Sequence, residues 1–248
     1  MLFKYKPMSN DIDLIRIFDI INNKRMYMPK LDQLNDPFEG TGIELFDRGG
    51  YAGSLIPRNA DIHDGIILDK KEKYRIMSLS AVFNSPQMWA YYCNDYNGIC
   101  LGFVTDENFS GISKVVYSSN KEPRIYNPES NELEKLLADS LREKTVAWKH
   151  EKEYRIIRKD QEYFYYGDAL KCIIIGHNLP EEKKEYIRQI VTSNIRLYIT
   201  YPGVVTRKLH VLPYEFKVEL DGSEPDFIDT IVDLEKDLAN NKDSNYIV

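Results

Sequence analysis

The chain has 248 residues, of which 43% are apolar and 29% charged, with a net charge of −6 at pH 7. That is enough apolar material for a genuine core, and it lacks the basic excess with which a whole domain tracks nucleic acid. No apolar run approaches the roughly 18 residues of a bilayer-spanning helix, no leader-type apolar segment opens the chain, and three cysteines without ligand spacing offer neither a disulfide frame nor a zinc site, so reduced thiols in the cytoplasm are the expectation.

In chain order, "LFKYK" (2–6) alternates and stops at Pro7, which predicts an opening strand. "SNDIDLIRIFDIINNK" (9–24) begins with cap-type residues and puts Ile12, Ile15, Phe18 and Ile21, or nearby partners, on one face at helical spacing, which predicts a helix. "RMYMP" (25–29) is a short strand, and "LDQLNDPFEG" (31–40) carries the turn signals Asp36-Pro37 and Gly40. Residues 41–72, rich in Gly, Asp and Lys, are expected to be a loop, an insertion or a lid.

"YRIMSLSAVF" (74–83) predicts a strand, and "SPQMWAYYCNDYNG" (85–98) a helix with Pro86 in its first turn and Gly98 as its stop. "ICLGF" (99–103) and "ISKVVYS" (112–118) predict strands, and 128–148 a long amphipathic helix with acids early. Three strands then follow, at "EYRIIR", "EYFYYG" and "KCIIIG". A helix begins at Pro180, "RLYITYPG" and "KLHVLPYEFKVEL" are strands, and 225–248 is a final helix with a polar tail. Strands in runs with helices between some of them give an α+β class, with mixed or antiparallel sheets and flanking helices in a single domain spanning 1–248.

The most chemically loaded stretch is "WKHEKEYRII" (148–157). On an extended strand Glu151, Glu153, Arg155 and Ile157 share one face, with the two glutamates about 6.6 Å apart, twice the strand rise. Like charges that close raise at least one pKa unless Arg155 balances them. The plain alternative is a solvated strand face carrying an Arg–Glu pair.

Other candidates are weaker. Ser78 and Ser80 share a strand face, where their hydroxyls can serve a ligand or a glutamate, although an isolated S-x-S is more often an edge or turn entry. Trp89 and Tyr92 lie on an aromatic helix stripe, which serves as core or as a stacking wall. In "LNDPFEG", Asn35 and Asp36 make a turn, Phe38 anchors it and Glu39 can reach a site; a plugged turn is the simpler account. No serine sits in G-x-S-x-G, the four histidines lack paired ligand spacing, and neither a phosphate loop nor a Rossmann fingerprint is present.

Taken in order, "FKYK", "LNDPFEG", "SLS" before "MWAYYCNDYNGICLGF", and "WKHEKEYRII" resemble the bacterial family known as domain of unknown function 2971, over about 1–176. The layout is more distantly similar to ADP-ribosyltransferases. That second resemblance implies a split sheet, with Ser78 and Ser80 on the serines of a Ser-Thr-Ser-like triplet whose middle position is Leu79 here. It puts Glu153 on the catalytic glutamate, Glu151 two before it, and Lys4 or Lys6 where the first strand carries Arg or His. NAD is then the substrate, with a protein or nucleic acid as acceptor and no metal. Glu153 steadies the oxocarbenium-like ribose, Tyr5 or Tyr92 stacks on nicotinamide, and Arg155 meets carboxylate or phosphate.

Three readings stay open. One is a NAD-using transferase or glycohydrolase, as a toxin or anti-phage effector. Another is a metal-dependent nuclease or phosphodiesterase using Asp36, Glu39, Glu151 and Glu153. The third is a non-catalytic binding or sensor domain in which Arg155 is a buried salt-bridge partner.

Overall fold

The computed structural model describes residues 1–40, 43–45, 69–119, 124–126, 132–214 and 227–240. Its strands in chain order are β1 (Leu2–Pro7), β2 (Arg25–Tyr27), β3 (Ile43–Leu45), β4 (Tyr74–Ser80), β5 (Gly98–Phe103), β6 (Ser113–Lys114) and β7 (Val116–Ser118). They continue with β8 (Arg124–Tyr126), β9 (Glu143–Thr145), β10 (Glu153–Lys159), β11 (Tyr163–Tyr165), β12 (Leu170–Ile175), β13 (Arg196–Gly203) and β14 (Lys208–Pro213). The fold is α+β, with mixed strand pairing, as the order of elements predicts. Contacts gather into two compact units: Met1–Arg25, Leu79–Phe109 and Tyr165–Val248 in the first, Met26–Ser78 and Ser110–Phe164 in the second.

In the first unit the strands run β14-β13-β12-β5-β1, and the end of β4 continues the sheet, with Ser80 opposite Phe3. All these pairs are antiparallel except β12 with β13. A parallel pair needs a crossover, and the helix Glu181–Ile190 supplies it, entered through Pro180. β12 reads LKCIII and is buried at every position but one; a near-continuous apolar run is what a strand covered on both faces requires. Phe3, Tyr5, Trp89, Cys100, Ile174 and Tyr198 belong to one apolar cluster. Cys93, Cys100 and Cys172 are free and buried, and burial pushes the Cys100 thiol well up, so these thiols behave as small apolar groups.

Two expectations in this unit are corrected. The helix Asp11–Asn23 buries Asp13, Ile17, Ile20 and Ile21, whereas Ile12, Ile15 and Phe18 are exposed. The true inward face is disguised by an acid: Asp13 accepts the Ser9 amide at 2.9 Å while its own amide donates to the Asn10 side chain at 3.0 Å. Asn10 thus caps the helix, and Asp13 holds the residue before the cap. The helix Pro86–Tyr92 also stops earlier than the sequence predicts. Asn94, Asp95 and Tyr96 turn the chain at positive φ, and Gly98 opens β5 instead of capping the helix. A Cβ at Gly98 would lie 2.3 Å from the Lys6 carbonyl oxygen, so strand pairing there demands glycine.

The second unit contains β4 up to Ser78, then β10 and β6, with β10 and β6 antiparallel. The short pairs β7/β9 and β3/β8 are parallel. The predicted strand 112–118 is broken at Val115 into β6 and β7. The predicted helix 128–148 is corrected: the helix is Leu133–Ser140, followed by β9 and by a 3-10 stretch, Val146–Glu151. Its apolar stripe explains the early end. Leu133, Leu137 and Leu141 pack with Tyr74 and Ile76, and the next turn would have offered Lys144 and Thr145 to that core. In the expected loop 41–72, β3 and the last residues from 69 are described; the rest lies outside the described residues, as do 215–226 and the tail after 240.

Candidate functional site

The second unit holds a buried group of five charged side chains: Glu39, Lys144, Glu151, Glu153 and Arg155. Each arrives by a local rule. Asp36 accepts the Phe38 amide at 3.0 Å, the Asp-turn expected of Asn-Asp-Pro, and its other oxygen accepts the Thr145 amide at 3.3 Å. That ties the turn to β9 and brings Glu39 to the residue beside Thr145. Lys144 stands on β9, opposite Tyr117 of β7. Glu153 and Arg155 are two apart on β10 and share a face, as alternation predicts.

Glu151 reaches the same group by a different route. It ends the 3-10 stretch, and Lys152 adopts φ 44° before β10 begins. The expectation that Glu151 and Glu153 are strand neighbours is therefore corrected. They meet through Lys144, whose ammonium donates to Glu151 Oε2 at 2.5 Å and to Glu153 Oε2 at 3.1 Å, with Glu39 Oε1 at 3.6 Å.

Arg155 is the centre. Its residue exposure is 0%, and Glu153 is 3% exposed. Nε donates to Glu153 Oε1 at 2.7 Å, and Nη2 donates to Glu153 Oε2 at 2.9 Å and to Glu39 Oε1 at 2.7 Å. Nη1 donates to the Leu141 carbonyl at 2.7 Å. That carbonyl is at the end of the helix Leu133–Ser140, where acceptors lack intrahelical donors and a cation is favoured. Nη1 also lies 2.5 Å from Glu39 Oε2, off the hydrogen-bonding direction, so that oxygen makes an ion pair without a hydrogen bond.

The electrostatics follow. Burial disfavours the charged Glu153, but Arg155, Lys144 and the Ser78 hydroxyl outweigh it and hold its carboxyl at about 2. Burial raises Glu39, and Arg155 and Lys144 recover only part of that. Lys144 is raised: burial opposes its charge, and three glutamates override burial. Burial also pushes Tyr117 up to about 12; its hydroxyl oxygen accepts the Glu153 amide at 2.8 Å. Three carboxylates thus share two cations, and at Glu39 burial outweighs the cations beside it.

The other candidates are placed as follows. Within the second unit, Ser78 joins the group, while Asn35 and Phe38 are exposed, Phe38 at 61%. Within the first unit, Tyr5 donates to the Val82 carbonyl at 2.8 Å and meets Trp89 edge-on. Trp89 is fully buried and donates to the Phe83 carbonyl at 2.8 Å. Ser80 Oγ accepts the Val82 amide at 3.1 Å, Tyr92 packs half-buried on the core, and Lys4 and Lys6 are half-buried. Lys144 and Tyr117 were not singled out in the sequence. The signal was the end of the leucine stripe at Leu141, after which β-branched Thr145 and Val146 favour extended chain. Among the described residues no group of three or more His, Cys, Asp or Glu is arranged to hold a metal ion, and no helix is long and apolar enough to cross a membrane.

Residues 88–156 match the model of a family described as protein of unknown function (DUF2971). The match bears out the resemblance to that family, and it covers the segment from the aromatic helix through "WKHEKEYRI"; "FKYK", "LNDPFEG" and "SLS" lie before it. Comparisons with curated proteins and with solved structures return no match.

Proposed function

We propose that the Arg155-centred group is the structural anchor of the second unit, and that the chain works as a non-catalytic binding or sensor domain. One observation carries this reading: the lone pairs of Glu153 are spent. Its carboxylate accepts two hydrogen bonds from Arg155, one from Lys144 and one from Ser78, and is buried. A carboxylate that steadies a cationic sugar must turn a free edge towards it. Glu153→Gln tests the reading. A structural role gives a less stable protein with no NAD turnover before or after the change; wild-type protein that releases nicotinamide from NAD, with that activity lost in a folded Glu153→Gln variant, overturns it.

A second reading is favoured by the ionisation of Glu153, held at about 2 beside a serine hydroxyl. Here the chain is a NAD-using ADP-ribosyltransferase or NAD glycohydrolase, a bacterial toxin or anti-phage effector of the cytoplasm. Glu153 steadies the ribose cation, Glu151 orients water or a protein or nucleic-acid acceptor, and Ser78 holds Glu153. It requires Glu153 to leave Lys144 on binding. Calorimetric titration with NAD reads that step; absence of both binding and nicotinamide release removes this reading.

A further inference from the structure

The first unit holds a polar arrangement of its own. On β14, His210 is 2% exposed. Its Nδ1 lies 2.6 Å from Asp229 Oδ1, and its Nε2 lies 2.7 Å from Thr206 Oγ1. The ring stacks on Phe227 with centroids 4.0 Å apart. A neutral imidazole with its proton on Nδ1 donates to Asp229, which leaves Nε2 to accept the threonine hydroxyl. These are hydroxyl, base and orienting carboxylate, each within hydrogen-bond reach of the next. Thr206 is an exposed residue in the turn between β13 and β14, and its hydroxyl lies 3.4 Å from the Gly203 carbonyl as well as beside the ring.

Two further observations bear on the arrangement. A Cβ on Gly203 would lie 2.2 Å from Thr206 Oγ1 and 2.6 Å from His210 Nε2, so the hydroxyl and ring can meet only because position 203 is glycine. Val204 and Val205, directly before the hydroxyl, are 90% and 96% exposed. Exposed valines beside a polar relay match a molecule with an apolar tail.

The geometry points to Thr206 as an acylation site, activated by His210 and Asp229, for esters of apolar acyl groups. Thr206 Oγ attacks the ester carbonyl and its proton passes to His210 Nε2. The new Oγ–C bond forms as the C–O bond to the alcohol breaks, and Nε2 returns the proton to the departing alkoxide. Water then repeats the exchange, with Nε2 taking its proton, and releases the carboxylic acid and free Thr206. No cofactor enters the balance. The order Thr206, His210, Asp229 lies outside the G-x-S-x-G pattern, so no sequence motif marks it.

The test uses the full chain with p-nitrophenyl acetate and p-nitrophenyl hexanoate. Wild type should give a burst of nitrophenol with the acyl group on the peptide bearing Thr206, faster with the hexanoate. Thr206→Ser should keep the burst, and Thr206→Ala should abolish it in a chain that still folds cooperatively, since the residue is exposed. Asp229→Asn should slow acylation by about a hundredfold, the scale of lost general-base help. No acylation of wild type at Thr206, or equal bursts from wild type and Thr206→Ala, overturns the proposal.

Discussion

The two units are held together in opposite ways. The first is organised by apolar packing around Trp89, Phe3, Cys100 and Tyr198. The second has a smaller apolar cluster, Tyr74, Ile76, Leu133, Leu137 and Leu141, and beside it the buried charges on Arg155. Apolar contact is non-directional and summed over many small pieces, so it degrades gradually. A buried ion group is directional and each member satisfies another, so losing one strands the rest. The second unit should therefore fail abruptly where the first fails by degrees.

The largest effect is expected at that difference. Arg155→Ala leaves Glu39 and Glu153 buried without their shared cation, and should cost at least about 3–5 kcal/mol, read by denaturant unfolding. Arg155→Lys should rescue little, because one ammonium cannot replace a guanidinium that grips two carboxylates and a carbonyl. Trp89→Ala is the matched test in the first unit, at about 3–5 kcal/mol for the cavity, but Trp89→Phe should recover much of it. If Arg155→Lys is rescued as fully as Trp89→Phe, the contrast between the units is wrong.

Glu153→Gln comes next, at about 1.5–3 kcal/mol for the loss of a charged acceptor. Its pH dependence has a definite sign. The folded carboxyl, at about 2, lies below the unfolded value of about 4.3, so its contribution is full above the unfolded value and is lost as pH falls through the folded one. Glu39 has the opposite sign, because burial raises it. Its protonated form is favoured in the fold, so stability drops as pH rises through the window above the ordinary value. The penalty of Glu39→Gln should thus shrink with rising pH, while that of Glu153→Gln grows from pH 3 to about 4.3 and holds above it, measured by melts from pH 3 to 8. The smallest effect belongs to Phe38→Ala, within about 0.5 kcal/mol, since that ring is exposed.

How much of this was legible in the sequence depends on whether a local rule governed each residue. β10 and the shared face of Glu153 and Arg155 follow from alternation, and the Asn-Asp-Pro turn from its own chemistry. Glu151 was assigned to the right neighbourhood by the wrong geometry, because one left-handed residue, Lys152, cannot be told from strand by pattern. The inward face of the first helix was lost because its buried acid looks like a solvent residue, and two apolar stripes share Ile21. Lys144 is hidden because the predicted helix runs to 148, eight residues beyond its end at Ser140. Which carboxylate is strained and which is secure depends on partners far apart in the chain, Glu39 and Arg155 above all, and no window of sequence contains both.

The position of β1 has a consequence for how the protein is made. β1 is flanked by β5 along its whole length and by the end of β4, strands that come from residues 98–103 and from Ser80. Those partners are synthesised some eighty to a hundred residues later, and β12, the next strand beyond β5, later still. Until then β1 is a ribbon with both edges unpaired, the kind of surface that recruits other strands. Pairings this distant in sequence close slowly, so fragments ending before residue 103 should aggregate when expressed alone, and the full chain should depend on chaperones during synthesis more than a protein of this size with local pairings.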